Sequence, residues 1–340
     1  MILRFRLDAT EEQVEELVQR LEGAGCRTRR SPEPGRAIVA LLDRPPAALA
    51  AELARHPLVE EVVAPKGDLR LVHRSFHEQP TVVRAGGLEI GGPGVVVIAG
   101  PCSVEGRDFM DEVAGHCARA GAHMLRGGAY KPRTSPYSFQ GFGVEGLAQL
   151  KDAGERHGLP VVSEIMDGAH LPAFLDHDVD CLQIGARNMQ NFTLLKAVAA
   201  AGRPVLLKRG LAGTVEEWLY SAEYLCAFGC PQVILCERGI RTYEPATRNT
   251  LDLTILPLLR ELTHLPVIVD PAHAVGVARF IPPLARAAVA AGADGITVEV
   301  HPRPEEARSD GPQALLPGEL AGLVADLRVL AAVGGRGLAD

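Results

Sequence analysis

The 340-residue sequence has few aromatic residues and no long apolar run. Phe, Tyr and Trp make up only 4% of the chain, so its core must consist mainly of Leu, Val, Ile and Ala, which favours helices packed on parallel strands. No apolar run approaches the roughly 20 residues that a membrane-spanning helix needs, so we expect no membrane association. The first residues soon turn acidic and offer no apolar signal segment, which predicts a cytoplasmic protein.

A basic surplus and paired cysteine motifs are also absent. Lys and Arg number 35 against 42 Asp and Glu, and the resulting net charge of −7 argues against non-specific nucleic-acid binding. Seven cysteines occur, but no Cys-x-x-Cys pair, which excludes zinc-ribbon and thioredoxin-like sites. A reduced, cytoplasmic protein is the simplest fit. The 47% of hydrophobic residues exclude disorder as the main character of the chain.

Residues 1–66 have the pattern of a self-contained unit. The predicted elements are a strand over residues 3–7 (Leu3, Phe5 and Leu7 inward), a helix begun by a capping box at Thr10 and Gln13, strands over residues 26–30 and 37–42 about a turn at 31–35, a helix opened by Pro45 and Pro46, and a strand over residues 58–63. This βαββαβ order predicts a small ferredoxin-like domain. It contains no cluster of catalytic residue types.

Residues 67–84 are predicted to be a linker, and residues 85–340 alternate short apolar runs with amphipathic helices. A hairpin is expected over residues 81–84 and 88–90. The eight further strands are predicted over residues 95–99, 123–126, 160–164, 181–184, 204–208, 232–236, 266–270 and 295–299. Eight βα units in about 250 residues predict an α/β fold of the (β/α)8 TIM-barrel type, with an open doubly wound sheet as the alternative.

Charged or chelating residues follow every predicted barrel strand within a few positions. In a TIM barrel these positions converge on the carboxyl-terminal mouth, where active sites lie. Six of the residues are cations, namely Arg126, Lys131, Arg133, Arg187, Lys208 and Arg238. Such crowding is unfavourable unless anionic ligands bind there, and Arg forks match phosphate and carboxylate oxygens. We therefore expect phosphorylated substrates, the alternative being ordinary ion pairs with Glu164, Glu237 and Asp270.

A second set of residues after the strands has the chemistry of metal ligands. It consists of Cys102, His273, Glu299 and Asp310. A thiolate, an imidazole and two carboxylates form a mixed soft and hard donor set, which suits Mn²⁺, Fe²⁺, Co²⁺ or Zn²⁺. One divalent metal ion is therefore predicted at the barrel mouth, and we favour Mn²⁺.

Four segments resemble 3-deoxy-D-arabino-heptulosonate 7-phosphate (DAHP) synthase, the first enzyme of the shikimate pathway. They are AGPCSVE at residues 99–105, LRGGAYKPRTSP at 125–136, IGARNMQ at 184–190 and DPAH at 270–273. The sister enzyme, 3-deoxy-manno-octulosonate 8-phosphate synthase, shares the barrel and the Gly-Pro-Cys loop, but its run after the second strand ends in Asn-Arg-Ser-Ser. The N-terminal unit is similar to that of DAHP synthases whose regulatory domain precedes the barrel.

The resemblance implies a transferase, a metal-dependent 3-deoxy-7-phosphoheptulonate synthase. It would condense phosphoenolpyruvate with D-erythrose 4-phosphate and water to give DAHP and inorganic phosphate, on the way to chorismate and the aromatic amino acids. The alternatives are an octulosonate synthase that uses arabinose 5-phosphate and a non-catalytic sensor of phosphometabolites. Residues 1–66 would confer feedback inhibition by tyrosine or phenylalanine in a homotetramer, or else would only stabilise an oligomer or cover the barrel.

The resemblance also implies residue roles. The phosphate of phosphoenolpyruvate would be held by Arg187 and Arg238. Its carboxylate would be held by Arg126, Lys131 and Lys208. The phosphate of erythrose 4-phosphate would be held by Arg133, Thr134 and Ser135. The metal, on the four donors named above, would polarise the aldehyde. Lys131, Glu164 or metal-bound water would transfer protons, and the sequence does not choose among them.

Overall fold

The computed structural model describes residues 1–32, 35–65, 67–133 and 135–339. The chain divides into two compact units. Residues 1–81 together with 260–264 form the first unit, and residues 82–259 together with 265–340 form the second. Among the described residues, no helix combines the length and the hydropathy that a membrane crossing requires.

The first unit contains a four-stranded antiparallel sheet and two helices. Its elements are β1 (Ile2–Phe5), α1 (Glu11–Gly23), β2 (Thr28–Arg30), β3 (Ile38–Leu41), α2 (Ala47–Leu53) and β4 (Val59–Val63). The strands lie in the order β2-β3-β1-β4, with β1 antiparallel to both of its neighbours. The predicted elements therefore occur in the predicted order. Part of the predicted turn, residues 33 and 34, lies outside the described residues.

The start of α1 follows the capping pattern expected from the sequence. Thr10 Oγ1 accepts a hydrogen bond from the Gln13 backbone N–H, and Gln13 Oε1 accepts one from the Thr10 N–H. The prediction that the first strand reaches Leu7 was wrong. The strand ends at Phe5 beside a register irregularity, and Leu7 lies in a turn with 75% of its surface exposed.

A buried histidine links the two segments of the first unit. His264 is 6% exposed, and its Nε2 lies 2.7 Å from the Leu71 carbonyl oxygen. Its Nδ1 lies 2.7 Å from Thr81 Oγ1. Because Nε2 must donate to a carbonyl, the ring is the neutral Nε2–H tautomer, with Nδ1 accepting from the Thr81 hydroxyl. Burial lowers the pKa of His264 to about 4, which keeps the ring neutral at pH 7.

The second unit is built on a closed parallel barrel. Its strands are β5 (Val83–Ala85), β6 (Leu88–Ile90), β7 (Gly94–Gly100), β8 (Met124–Arg126), β9 (Val161–Ile165), β10 (Cys181–Ile184), β11 (Val205–Lys208), β12 (Val233–Glu237), β13 (Val267–Val269), β14 (Gly295–Glu299) and β15 (Gly337–Leu338). Strands β7 to β14 pair in parallel in chain order, and β14 pairs with β7 to close the ring. The predicted (β/α)8 barrel is confirmed, and the open-sheet alternative was wrong.

Helices follow the barrel strands, as the sequence pattern predicts. They are α3 (Arg107–Ala120), α4 (Gly143–His157), α5 (Leu171–Asp176), α6 (Phe192–Ala200), α7 (Val215–Ala227), α8 (Ile255–Leu262), α9 (Pro271–Val275), α10 (Ile281–Ala290) and α11 (Pro317–Val333). The strand predicted over 266–270 ends at Val269, which leaves Asp270 as the N-cap of α9. All seven cysteines are buried and free.

The hairpin β5–β6 closes the amino-terminal end of the barrel. Its apolar residues belong to the same core as inward-facing barrel residues such as Val96, Met124 and Leu206. The Arg84 backbone N–H donates to Gln232 Oε1 at 2.9 Å, and Gln232 directly precedes β12. The hairpin thus fills the end of the barrel opposite the predicted active site. The short strand β15, which we did not predict, pairs with the start of β7.

Candidate active site

A strongly basic cavity opens at the carboxyl-terminal ends of the barrel strands. Its charged and polar lining residues are Lys131, Arg133, Glu164, Arg187, Lys208, Arg238, Arg241, Arg248, Asn249, His273, Ser309 and Asp310. Of the described lining residues, seven are Lys or Arg and two are carboxylates. In a protein with a net charge of −7, this surplus of cations is a local feature that suits anionic ligands.

The loop after β7 brings a cysteine into this site. Gly100 has φ 151°, and a Cβ on it would lie 2.1 Å from the Arg126 carbonyl oxygen, so only glycine lets β7 end this close to β8. Cys102 is 5% exposed, and its Sγ lies 3.0 Å from Lys131 Nζ. Lys131 Nζ also donates to the Cys102 carbonyl oxygen at 2.8 Å. Burial, followed by the charge of Glu299, raises the pKa of Cys102 to about 12, so the thiol is protonated in the absence of a cation.

Three of the four predicted metal ligands form one cluster. Donor atoms of Cys102, Glu299 and Asp310 all lie within 4.8 Å of one another. Cys102 Sγ is 3.2 Å from Asp310 Oδ2. The fourth predicted ligand, His273, faces the same carboxylate, with Nε2 3.5 Å from Glu299 Oε1.

Asp270 orients His273. As the N-cap of α9, its Oδ1 accepts the His273 backbone N–H at 3.0 Å, and its Oδ2 lies 2.8 Å from His273 Nδ1. Burial lowers the pKa of His273 in spite of the nearby carboxylates of Asp270 and Glu299. Burial also disfavours ionisation of Asp270, but His273 and Lys208 hold its pKa well below the ordinary value. A carboxylate on the far nitrogen is the usual support of a metal-binding histidine.

The residues of this cluster fit a divalent cation. Glu299 is fully buried, its Oε2 accepts a hydrogen bond from Gln313, and its Oε1 has no hydrogen-bond partner among the described residues. Arg126 Nη2 lies 3.3 Å from this oxygen without forming a hydrogen bond to it, so the oxygen can still accept a cation between Cys102, Glu299 and Asp310. One thiol, one imidazole and two carboxylates are suitable donors for first-row divalent metals.

Two of the six predicted cations are paired with acids. Arg126 Nη2 lies 3.3 Å from Glu299 Oε1, and Lys208 Nζ lies 2.5 Å from Asp270 Oδ2. Lys208 therefore follows the expectation of an ordinary ion pair. Glu237 does not pair with Arg238, its neighbour in sequence. It binds Arg209, whose Nη1 lies 3.0 Å from Glu237 Oε2.

The other four cations have no acidic partner among the described residues. Within the described part of the chain, no carboxylate oxygen lies within 4.0 Å of a side-chain nitrogen of Lys131, Arg133, Arg187 or Arg238. Arg238 is 4% exposed, and burial lowers its pKa. Taking an unpaired cation out of water is unfavourable. The cavity is therefore electrostatically prepared for anions.

Of the residues predicted to receive the second phosphate, Arg133 lines the cavity. Arg133 Nε donates to the Phe139 carbonyl oxygen at 3.0 Å, which fixes its guanidinium in the loop after β8. Thr134 lies outside the described residues. Ser135 is exposed, and its Oγ accepts the Tyr137 N–H at 3.3 Å. Glu164 lines the cavity and accepts a hydrogen bond from Gln183 at 3.1 Å.

Sequence reasoning missed several residues of the site. Arg241 and Arg248 line the cavity from the loop after β12, which is closed by the pairing of Ile240 with Thr250. Ser309 lies 3.1 Å from Cys102 Sγ, and Gln313 binds Glu299. The signals available in the sequence were two Arg residues in one long loop and a Gln three positions after Asp310.

Comparisons with known proteins identify the family of the chain. The model of the DAHP synthetase I family matches residues 68–330. A phospho-2-dehydro-3-deoxyheptonate aldolase from Thermotoga maritima is 45% identical over 315 residues, covering 93% of both chains. A crystal structure of the DAHP synthase from T. maritima matches at a TM-score of 0.79 and 43% identity, covering 99% of this chain and 98% of that one.

A more distant relative comes from the sister group. A 2-dehydro-3-deoxyphosphooctonate aldolase from Acidithiobacillus ferrooxidans is 35% identical over 254 residues, covering 69% of this chain and 87% of the relative. The resemblance inferred from the sequence motifs is confirmed by the family match and by both Thermotoga comparisons. The chain therefore belongs to the DAHP synthetase I family of enzymes.

Proposed function

We propose that this chain condenses phosphoenolpyruvate with D-erythrose 4-phosphate and water, giving DAHP and inorganic phosphate in the cytoplasm. The observation that carries the proposal is the combination, in one cavity, of seven cations with a cluster of thiol, imidazole and carboxylate donors. The cations suit two phosphorylated substrates, and the donor cluster suits a metal beside a carbonyl group. The 45% identity to the Thermotoga aldolase supports the same activity.

Phosphoenolpyruvate would occupy the deep part of the cavity. Arg187 and Arg238 would hold its phosphate, because both line the cavity and neither has an acidic partner among the described residues. Arg126, Lys131 and Lys208 would hold its carboxylate. These three side chains are buried, so they would bind a single anionic group in a water-poor environment, where a charge-assisted contact is strongest. Asp270 and Glu299 compensate two of the three charges when no substrate is bound.

The erythrose 4-phosphate phosphate would bind at the rim. Arg133 supplies a guanidinium held by the Phe139 carbonyl, and Thr134 and Ser135 are the hydroxyl groups next to it in the chain. This arrangement would direct the aldehyde end of the sugar inward, toward the Cys102, Glu299 and Asp310 cluster.

Cys102, His273, Glu299 and Asp310 would together hold one divalent metal ion, with Mn²⁺ favoured over Fe²⁺, Co²⁺ and Zn²⁺. When bound, the ion would supply Lewis-acid polarisation of the aldehyde oxygen. The orientation of His273 by Asp270 and the hydrogen-bond vacancy at Glu299 Oε1 support this donor set.

The reaction requires two proton transfers that the chain can provide. C3 of phosphoenolpyruvate forms a bond to the aldehyde carbon, and the aldehyde oxygen takes up a proton. Lys131 would donate it, because its ammonium lies 3.0 Å from Cys102 Sγ, beside the cluster. Water then adds to C2 and loses a proton to Glu164, which lines the same cavity. The C2–O bond to phosphate then breaks while the new C2 hydroxyl gives its proton to the departing phosphate, which yields inorganic phosphate and the keto form of the product.

A phosphate-release assay tests the activity. The chain is incubated with phosphoenolpyruvate and either erythrose 4-phosphate or arabinose 5-phosphate, with and without a chelator. We expect release with erythrose 4-phosphate only, and loss of release in the chelator that added Mn²⁺ restores. Release only with arabinose 5-phosphate would favour the octulosonate alternative. Binding of phosphoenolpyruvate without any turnover would favour a sensor.

We further propose that residues 1–66 form a ferredoxin-like regulatory domain, joined by a linker at 67–84 to a catalytic barrel at 85–340. The strand order β2-β3-β1-β4 and the two helices support a ferredoxin-like fold. The domain would bind tyrosine or phenylalanine in a homotetramer and favour a state in which the barrel is inhibited.

A deletion tests the regulatory role. Removal of residues 1–66 is expected to leave phosphate release intact and to abolish inhibition by tyrosine and phenylalanine. A full-length enzyme that responds to neither amino acid, nor to chorismate or prephenate, would refute regulation. Sedimentation of the full-length chain tests the tetramer.

A further inference from the structure

We propose that Gln313 is a positioning residue that aims both carboxylates of the metal cluster. The inference rests on the proposed metal site and concerns a residue outside its donor set. Gln313 is 2% exposed and ends the short turn Gly311–Gln313, directly after Asp310. Its side-chain amide has two different charged partners, one at each end.

The nitrogen end of the amide holds Glu299. Gln313 Nε2 donates to Glu299 Oε2 at 2.6 Å. This contact fixes one oxygen of the Glu299 carboxylate. The other oxygen, Oε1, is the one that lies 3.3 Å from Arg126 Nη2 and 3.5 Å from His273 Nε2. The hydrogen bond from Gln313 therefore holds the carboxylate so that Oε1 faces the His273 imidazole.

The oxygen end of the amide holds Asp310 through an arginine. Arg248 Nη1 donates to Gln313 Oε1 at 2.8 Å and lies 3.3 Å from Asp310 Oδ1. The other Asp310 oxygen, Oδ2, lies 3.2 Å from Cys102 Sγ. Each carboxylate thus has one oxygen held by the Gln313–Arg248 pair and the other next to a proposed metal ligand, His273 for Glu299 and Cys102 for Asp310.

The backbone of the turn adds a third restraint. Asp310 has φ 53°, in the left-handed region, and its carbonyl oxygen accepts the Gln313 backbone N–H at 3.1 Å. A Cβ on Gly311 would lie 2.2 Å from the Pro304 carbonyl oxygen, so the turn needs glycine there. The predicted ligand and its positioning residue are therefore parts of one tight turn.

Only a side chain that donates and accepts at once can serve both partners. An amide donates to the Glu299 carboxylate and accepts from the Arg248 guanidinium, whereas a carboxylate would repel Glu299 and an ammonium would not accept from Arg248. Residues that hydrogen-bond metal ligands typically change metal affinity or activity by 10- to 100-fold when they are replaced. Gln313 makes such a contact directly to Glu299 and reaches Asp310 indirectly, through Arg248.

The experiment measures Mn²⁺ affinity of the full-length chain directly, from the electron paramagnetic resonance signal of free Mn²⁺ during titration. The variant is Gln313→Met, which keeps the length of the side chain and removes both hydrogen bonds. We expect its Mn²⁺ dissociation constant to rise by about 10- to 100-fold. Phosphoenolpyruvate affinity measured in chelator should stay within about twofold of the wild type, because the proposed substrate cations are unchanged.

Gln149→Met is the matched control. Gln149 is 5% exposed and donates to a glutamate, Glu145 Oε1 at 2.9 Å, but it lies on α4 away from the cluster. Its Mn²⁺ affinity should equal that of the wild type. An equal loss in Gln149→Met, or an unchanged affinity in Gln313→Met, would overturn the inference. A wild-type chain that does not bind one Mn²⁺ would instead refute the proposed metal site.

A second variant keeps the test decisive if Gln313→Met does not fold. Arg248 is partly exposed and lies in the loop after β12, so Arg248→Gln should fold. It removes the charged link to Asp310 while Gln313 can still bind Glu299. We expect Mn²⁺ binding to weaken by about tenfold. Unchanged Mn²⁺ affinity in Arg248→Gln would also contradict the positioning network.

Discussion

Two buried arginines at the barrel mouth differ in whether a carboxylate lies next to them. We therefore expect their replacement by Met to change the free energy of unfolding in opposite directions. Arg209 follows β11 and is 5% exposed, with Nη1 3.0 Å from Glu237 Oε2 and 3.3 Å from Asp252 Oδ2. Arg238 follows β12 and is 4% exposed, but no described carboxylate lies within 4.0 Å of its nitrogens. Replacing each by Met keeps similar length and removes the charge.

The expected magnitudes follow from these partners. Arg209→Met leaves Glu237, which is fully buried, without its cation, and breaking such a buried pair costs about 3–5 kcal/mol of unfolding free energy. Arg238→Met removes a cation that burial destabilises, so the unfolding free energy should rise by about 1–2 kcal/mol. At about 2–4 °C per kcal/mol, the melting temperature should fall by about 6–20 °C in the first variant and rise by about 2–8 °C in the second.

Thermal unfolding in chelator, without substrates, measures both changes. Arg328→Met, an exposed position on α11, is the control and should stay within about 0.5 kcal/mol of the wild type. In the activity assay, Arg238→Met should lose about 1.5–3 kcal/mol of transition-state binding, which lowers kcat/KM for phosphoenolpyruvate by about 10- to 150-fold. If Arg238→Met is destabilised like Arg209→Met, then Arg238 is a structural residue and the reasoning about unpaired cations is wrong.

Three further predictions concern a proposed metal ligand, a buried histidine and a glycine. Cys102→Ala should abolish turnover and leave the circular dichroism spectrum unchanged; near-normal turnover in chelator would refute its metal role. The pKa of His264 is about 4 in the folded protein, whereas its ordinary pKa, expected in the unfolded chain, is near 6.5. The unfolded chain therefore binds the extra proton, and the free energy of unfolding decreases as the pH falls below about 6.5. Urea unfolding from about pH 7 to about pH 5 should show a loss of about 2 kcal/mol that His264→Gln lacks, and equal losses in both would contradict this. Gly100→Ala should lower the free energy of unfolding by more than about 4 kcal/mol, because the new Cβ would meet the Arg126 carbonyl oxygen. Gly292 also has a positive φ but open space around it, so Gly292→Ala should lower the free energy of unfolding by only about 1 kcal/mol. Similar losses in both variants, measured by urea unfolding, would refute the steric argument.

The sequence predicted the barrel and the mouth of the cavity because both depend on local patterns. A buried parallel strand is a short apolar run, and the polar residue that follows it lies at the carboxyl end by topology alone. For this reason Cys102, Lys208 and Glu299 were found without knowledge of the tertiary structure. The same logic failed at Leu7, where the alternation of apolar residues continues past the last strand pairing.

Pairing between loops was not predictable in the same way. Arg209 and Arg238 both follow barrel strands next to another charged residue, and only the structure distinguishes the arginine that binds Glu237 from the one that does not. Arg248 lies far from Asp310 in sequence, so its contact depends on how the loop after β12 folds back. Such contacts depend on side-chain direction in three dimensions, which hydrophobic periodicity does not encode.

The hairpin β5–β6 has a kinetic consequence for the proposed reaction. Because its apolar residues fill the amino-terminal end of the barrel, the proposed substrates and products would pass through the cavity at the other end, which is the opening lined by described site residues. In the proposed arrangement, phosphoenolpyruvate, with buried contacts to Arg126 and Lys208, would enter before erythrose 4-phosphate, which Arg133 would hold. Steady-state kinetics should therefore be sequential and ordered, with phosphoenolpyruvate binding first and erythrose 4-phosphate unable to bind productively ahead of it.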